Sequence, residues 1–430
     1  MKTIAQIKSL ISYAGEVAIF GGGVSGAAAL KLLESQGKSC TLYSEEGIIF
    51  DETAARDCLF VVVSPGFPPA HRWLKMAKEA NKPCLSEIDL GLMFASPEEF
   101  VAVTGTNGKT SLTSILTHIS NQLEVPALSL GNIGVPLCDA VSRGEDQGRC
   151  IFHETSSFQS LHTNFFEPDS AIWINFATDH LDYHGTFQEY FESKLKLVHS
   201  CKDPNRVYLG TSVFQYAHKF GIPMNPYFRK IEPLAPSEIP SEVSAFHRTH
   251  PQLENLGFAF AWFLDRGFSK KEIVAGLDGY QPEPHRLQKV DVINQVSFWN
   301  DSKSTNLASV VSACESFTEK VIWIGGGKNK AQEVGEFSST IFPYLEKAYL
   351  IGQTAGEIFH HLVRKGVQAE ICHSLKDAVF LAFHNAQKLS HVLFSPGFAS
   401  FDMFKNYSDR GNSFNSIVFD LKRATQATTK

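Results

Sequence analysis

Hydrophobic residues in this chain fall into short continuous runs that stop at glycine or at small polar residues, and stretches with apolar residues at helical spacing separate the runs. Such runs read as strands buried on both faces, and their alternation with helices reads as parallel βαβ structure. The first series is Val17-Ala-Ile-Phe20, then Gly21-x-Gly23-x-x-Gly26 opening a helix through about Gln36, a stop at Gly37, and a strand Ser39 to Tyr43. Leu59 to Val63 follows and ends in Ser64-Pro65-Gly66, and an element at Pro83 to Ser86 precedes a helix from Glu87. This series predicts a first domain over residues 1–95, a small parallel sheet with helices on both faces.

A second series opens with Val101-Ala-Val-Thr104, a tight turn through Gly105 and Gly108, and a helix from Lys109. Strands are expected at Val125 to Leu130, Cys150 to Glu154 and Ser170 to Phe176, and a helix from about Phe187 carries Lys194 and Lys196. By default both are surface lysines. The prolines of Gln281-Pro282-Glu283-Pro284 break the helical pattern, so the domain is expected over 96–282. A third domain, 283–430, is expected to place strands at Val296 to Trp299, Val321 to Ile324, Ala348 to Ile351 and Val392 to Phe394. The fold class expected is α/β with three domains, each a mainly parallel sheet with flanking helices.

Composition narrows the function classes. With 43% hydrophobic residues, 20% charged residues and a net charge of -6, the chain is an ordinary globular protein without the basic excess of a nucleic-acid binder. Its eight cysteines contain no Cys-x-x-Cys pair, so neither a disulfide framework nor a zinc site is indicated, as expected in a reducing cytoplasm. Met1-Lys-Thr-Ile-Ala-Gln lacks a cleavage pattern, and the longest apolar runs fall short of a membrane span, so a cytoplasmic protein without membrane insertion is expected.

The chemistry concentrates after strands. Gly105-Thr106-Asn107-Gly108-Lys109-Thr110-Ser111 is a shortened P-loop in which freed backbone N–H groups, a helix start and an ammonium face one small space suited to a polyphosphate. Thr110 or Ser111 supplies a hydroxyl for Mg²⁺. Glu154 and His180 both follow strands on the side where that loop lies, where open parallel sheets bind ligands. Gly21-x-Gly23-x-x-Gly26 with Glu45 fits a nucleotide ribose, which on its own admits a nicotinamide oxidoreductase. Arg286, Lys303, Lys328 and Ser400 repeat the pattern of polar residues after strands and predict an anionic pocket.

Together, Gly105-Thr-Asn-Gly-Lys-Thr110, Gly131-Asn-Ile-Gly134, Glu154-Thr-Ser-Ser-Phe-Gln159, Asp179-His-Leu-Asp182, Glu283-Pro-His-Arg286, Asn300-Asp-Ser-Lys303 with Thr305-Asn306, and Gly326-Gly-Lys328 resemble the Mur ligase family, ATP-dependent ligases of bacterial cell-wall synthesis. The similarity spans nearly the whole chain. Ser395-Pro-Gly-Phe-Ala-Ser-Phe-Asp402, Phe404-Lys-Asn-Tyr407 and Arg410-Gly411 are similar to the branch that adds D-glutamate. The resemblance implies Rossmann-like first and third domains around a P-loop ATPase domain. It implies the cofactors ATP and two Mg²⁺ ions, with UDP-N-acetylmuramoyl-L-alanine and D-glutamate as small-molecule partners and a monomeric enzyme.

It also implies residue roles. Lys109, Glu154, His180 and Lys194 are expected to be catalytic, and Thr110, Glu154, His180 and Lys194 to hold metal. By position Lys194 resembles the family lysine that CO₂ converts to a carbamate, with Lys196 the competing residue. Asn255 is expected at adenine, Arg286 at the γ-phosphate, Asp301 at the ribose, and Lys303 at the phosphoryl charge. Val24, Ser25, Ser44 and Ser64-Pro65-Gly66 are expected at the uridine diphosphate, and Asn132 and Ser156 nearer the reacting end. Thr305, Lys328, Ser400 and Tyr407 are expected at D-glutamate. The chain departs from the family at Gln252 in place of an Asn, at Ser44-Glu45 in place of an Asp, and at Tyr407 in place of a Phe. A folylpolyglutamate ligase or a non-catalytic nucleotide-binding protein are the other readings of these motifs.

Overall fold

The computed structural model describes residues 4–240, 243, 245–248, 251–329 and 332–428. Met1-Lys-Thr, part of the stretch read for a cleavage pattern, lies outside them. The described residues form two compact units. The first comprises Met1–Phe176, Gly185–Leu234 and Asn255–Tyr280, and the second Ala177–His184, Ala235–Glu254 and Gln281–Lys430.

Two sheets belong to the first unit. One is all parallel, with strands β1 (Glu16–Phe20), β2 (Ser39–Tyr43), β3 (Val61–Val63) and β4 (Cys84–Ser86) in the order β2-β1-β3-β4. The other is also parallel and six-stranded, with β5 (Glu99–Thr104), β6 (Ala127–Gly131), β7 (Cys150–Glu154), β8 (Ser170–Trp173), β9 (Val207–Gly210) and β10 (Arg229–Ile231) in the order β10-β9-β8-β5-β7-β6. The order explains the apolar runs. Along β1, Val17 and Ile19 enter one core with Leu32 and Leu33, whereas Ala18 and Phe20 enter another with Trp73. Both faces of the strand are dry from Val17 to Phe20, so those four positions are apolar.

The third sheet lies in the second unit. Its strands β11 (Gln288–Ile293), β12 (Val296–Asn300), β13 (Val321–Gly325), β14 (Leu345–Leu350), β15 (Gln368–Ile371) and β16 (His391–Phe394) run in the order β11-β12-β16-β13-β14-β15. All neighbours are parallel except β11 and β12, an antiparallel edge hairpin. Ile322 and Ile324 of β13 face one core and Val321 and Trp323 the other. The chain is thus an α/β protein with three mainly parallel sheets.

Some elements differ from the sequence reading, and the hydrogen bonds say why. The strand expected to reach Phe176 ends at Trp173, since the Asn175 carbonyl and side chain turn to accept from Thr106 and Asn107 of the glycine loop. The strand expected from Val125 begins at Ala127, because the Val125 N–H still belongs to the preceding helix end, donating to Ser120. Strands β9, β10, β11 and β15 were not anticipated. No helix among the described residues is long and apolar enough to cross a membrane.

Candidate active site

The centre of the first unit is the turn after β5. That strand is flanked by β7 and β8, with Val103 level with Glu154 on one side and Ile172 on the other. The loop therefore leaves the sheet between two neighbours whose own ends carry polar groups. Gly108 caps the helix Lys109–Gln122 with φ 82°, and a Cβ there would lie 2.8 Å from Asn255 Oδ1. Glycine meets both demands, a left-handed backbone and close approach. The loop is pinned from behind: the Thr106 N–H donates to the Asn175 carbonyl at 3.0 Å, and the Asn107 N–H to Asn175 Oδ1 at 3.0 Å.

Two lysines reach this turn. Lys109 Nζ donates to the carbonyls of Gly105 at 2.9 Å and Thr106 at 2.8 Å. Lys194, from the helix Phe187–His199, is 1% exposed, and its Nζ donates to Thr104 Oγ1 at 3.2 Å and to Gly105 O at 2.9 Å. The Tyr190 ring lies under that ammonium at 5.1 Å, and the Tyr190 hydroxyl is 3.2 Å from Thr106 Oγ1. Two positions along, Lys196 points elsewhere and is exposed, donating to the Leu161 carbonyl at 3.2 Å. Helix phase separates the pair, since residues two apart do not share a face.

Glu154 ends β7 with its side chain 1% exposed, and its Oε1 accepts from Asn132 Nδ2 at 2.8 Å. Asn132 stands just past Gly131, whose φ is 93° and whose Cβ would lie 2.5 Å from the Glu154 carbonyl. Thr110, in the first helical turn after the loop, is 4% exposed, and Ser111 is 7% exposed. A carboxylate and hydroxyls are hard oxygen donors. Among the described residues no group of three or more His, Cys, Asp or Glu side chains is arranged to hold a metal. Mg²⁺ in phosphate chemistry usually takes one or two carboxylates and completes its shell with waters and phosphate oxygens, and Glu154 with Thr110 fits that pattern. Next to Glu154, burial pulls the His153 pKa down to about 4, so its imidazole is neutral near pH 7.

At the first sheet, the helix Val24–Ser35 begins after Gly23, and no side chain caps it. Val24 is exposed and Ser25 half-buried. A Cβ on Gly26 would meet the Gly21 carbonyl at 1.8 Å, so only glycine lets this helix start press against the strand end. Ser64 Oγ donates to the same Gly21 carbonyl at 3.2 Å, which brings the Ser64-Pro65-Gly66 turn beside the helix start. Ser44, at the end of β2, donates its N–H to the Ile48 carbonyl. Glu45 is engaged by His71 Nε2 at 3.2 Å and by Arg72 at 3.5 Å.

The second unit gathers the remaining residues. His180 has a left-handed backbone, φ 54°, its N–H donating to Asp179 Oδ1 at 2.9 Å and its Nε2 3.7 Å from Asp179 Oδ2. Asn306 Nδ2 donates to that same Oδ2 at 2.9 Å, next to Thr305. Asp301 is 7% exposed and spends its carboxylate inside the protein: Oδ1 accepts from the Leu287 N–H at 3.0 Å, and Oδ2 from Ser395 Oγ at 2.7 Å and from Ser304 Oγ. Burial pushes its pKa up to about 6. Arg286 is half-buried, and its Nε has no hydrogen-bond partner among the described residues.

Lys303 Nζ donates to the Tyr407 hydroxyl at 3.0 Å and lies 4.5 Å from the centre of its ring. Burial raises the Tyr407 pKa, but the Lys303 ammonium, together with Ser408 and Arg286, outweighs it and the net shift is downward. Lys328 is exposed, yet its backbone pairs with Ala399, which sets it beside the buried Ser400. Arg410, 1% exposed, ties these loops: its guanidinium donates to Ser302 Oγ at 3.1 Å, the Ser302 carbonyl at 2.8 Å and the Phe398 carbonyl at 3.0 Å. Sequence reasoning gave no task to Asn175 or Arg410. A polar residue one step past a strand end was the available signal for the first, and the second had none beyond its motif.

Comparison with known proteins places the chain. Residues 103–217 match the Mur ligase middle domain. The UDP-N-acetylmuramoylalanine–D-glutamate ligase of Protochlamydia amoebophila is 32% identical over 372 residues, covering 83% of each chain. The protein of the same name from Geotalea uraniireducens is 33% identical over 380 residues, covering 84% of this chain and 83% of its own. The crystal structure of the UDP-N-acetylmuramate-alanine ligase MurC from Thermotoga maritima shares the fold, with a TM-score of 0.58 at 14% identity over 95% of this chain and 100% of that one. The chain belongs to the Mur ligase family of ATP-dependent ligases, in the group with the UDP-N-acetylmuramoylalanine–D-glutamate ligases.

Proposed function

We propose that this protein joins D-glutamate to UDP-N-acetylmuramoyl-L-alanine at the expense of ATP. The γ-phosphoryl group passes to an oxygen of the alanyl carboxylate, leaving ADP and an acyl phosphate. The D-glutamate amine then attacks the carbonyl carbon, the bond from that carbon to the phosphate oxygen breaks, and amide and phosphate form as the amine loses a proton. The observation that carries this reading is the buried Lys194 ammonium on the Gly105 carbonyl, the same group that Lys109 reaches. Two anions must meet in the first step, and concentrated positive charge at the phosphate loop lets them approach.

Lys109 with Gly105, Thr106, Asn107 and Gly108 binds the ATP phosphates in this reading, with Asn255 and Arg286 as further nucleotide contacts. Asp301 acts from behind, fixing the loop that carries Lys303 and Ser304. Val24, Ser25, Ser44 and the Ser64-Pro65-Gly66 turn hold the uridine diphosphate, and Asn132 and Ser156 the reacting end. Thr305, Lys328, Ser400 and Tyr407 take the two D-glutamate carboxylates. Glu154, Thr110, His180 and a carbamate formed from Lys194 with CO₂ are the residues that would hold Mg²⁺, which when bound neutralises phosphate and carboxylate charge. An ammonium repels a cation and a carbamate attracts one, which is the sense of converting Lys194.

One observation weakens the nicotinamide reading. The ribose-binding acid it requires, Glu45, is engaged by His71 and Arg72. Phosphate release from ATP, measured with UDP-N-acetylmuramoyl-L-alanine and with D-glutamate, L-glutamate, L-alanine or meso-diaminopimelate in turn, tests the proposal. Release should depend on D-glutamate; release that follows another amino acid, or none, would reject it.

A further inference from the structure

We infer that His162 is a positioning residue, holding the turn that grips the uridine diphosphate at a set distance from the phosphate loop. The inference rests on the roles proposed above for Ser64-Pro65-Gly66 and Glu154. The helix Ser157–His162 starts three residues after Glu154, with Ser156 and Gln159 forming a capping box, and ends on His162. His162 Nε2 lies 2.8 Å from the Phe67 carbonyl, one residue past Gly66. A carbonyl only accepts, so Nε2 carries the proton and donates.

The helix is braced along its length. Ser160 Oγ donates to the Ser193 carbonyl at 2.5 Å, directly before Lys194. Lys196 Nζ donates to the Leu161 carbonyl at 3.2 Å, and Thr163 Oγ1 to Ser86 Oγ at 3.2 Å. A six-residue helix rises about 9 Å. This short helix therefore has Glu154 three residues before its start, the Lys194 helix at its side and the Ser64-Pro65-Gly66 turn at its end. The first substrate carries its diphosphate and its reacting carboxylate on one molecule, so it needs these two places a set distance apart. Misplacing a reacting group by about 1 Å can cost a hundredfold in rate. His162 touches no substrate in this account and acts through the Phe67 backbone.

Steady-state kinetics of the full chain test the idea. His162→Phe keeps a ring and removes the donor, and His162→Gln returns an amide N–H equally far along the side chain. His162→Phe should raise the KM for UDP-N-acetylmuramoyl-L-alanine about tenfold, the loss of one hydrogen bond, with the KM values for ATP and D-glutamate within about twofold. His162→Gln should restore most of the difference. Equal rises in all three KM values, no rise, or no rescue by Gln in a folded variant would overturn the inference while the D-glutamate-dependent wild-type activity stood. A wild-type chain without that activity would overturn the functional reading, and this inference with it.

Discussion

Lys109 and Lys194 share an acceptor: both ammonium groups donate to the Gly105 carbonyl, each at 2.9 Å. Two cations on one oxygen disfavour each other, and the tension eases when one meets an anion or loses its charge. ATP phosphates would draw Lys109 away, and CO₂ would convert Lys194.

Lys194→Ala should therefore lower turnover by at least about a thousandfold, the scale for losing a group that stabilises developing charge. Formate or acetate added to the variant should recover part of it. Wild-type activity in CO₂-depleted buffer should fall and return with bicarbonate. An unchanged rate in both experiments would remove the carbamate from the mechanism.

Lys328→Ala should raise the KM for D-glutamate at least about tenfold, as expected for a charge-assisted hydrogen bond, and leave the KM for ATP nearly unchanged. Initial rates with each substrate varied in turn separate the two. The opposite pattern would place Lys328 with the nucleotide.

Tyr407→Phe removes the phenol that accepts from Lys303 but keeps the ring beneath it. A net loss of about 1 kcal/mol is expected, roughly fivefold in kcat/KM. The rate–pH profile should also shift, since the Lys303 ammonium is among the groups that lower the Tyr407 pKa against its burial. A profile identical to wild type would show that the hydroxyl does not steer Lys303.

Glu87 is 2% exposed, its Oε1 accepting from the Cys138 N–H at 2.6 Å, and burial pushes its pKa up from 4.5 to about 7. The folded pKa is raised, so the stabilisation from its proton is complete below about pH 4.5 and lost as pH rises through about 7. Glu87→Gln keeps the acceptor without the charge. It should stabilise the protein by on the order of 2 kcal/mol at pH 8 and far less at pH 5. Thermal melts at the two pH values decide it, and equal shifts would reject the assignment.

How much of this was legible follows from where glycine and helical spacing carry the signal. Gly108 and Gly131 mark turns that a side chain would crowd; Gly105 and Gly108 announced the phosphate loop, and the closeness of Gly131 to Glu154 came only with the structure. The edge hairpin of β11 and β12 stayed hidden because Asn294 and Gln295 make its turn, at φ 48° and 69°, without a glycine. Position in the sequence favoured Lys194 over Lys196 but left Lys196 as a competitor. Three-dimensional packing separates them, burying one at the phosphate loop and leaving the other on the surface. Asp301 was expected at the ribose, and the donors around its carboxylate, which face it from inside the protein, were not legible in the sequence.

Arg410 has a wider implication. Its guanidinium latches two loops through carbonyl and hydroxyl oxygens, and although burial lowers its pKa to about 10, it remains charged at any acidity a living cell tolerates. In the proposed reading, this clasp behind the frame around the incoming amino acid therefore keeps its charge over that range. Selectivity can then drift through the residues that line the frame, while the clasp behind them is kept.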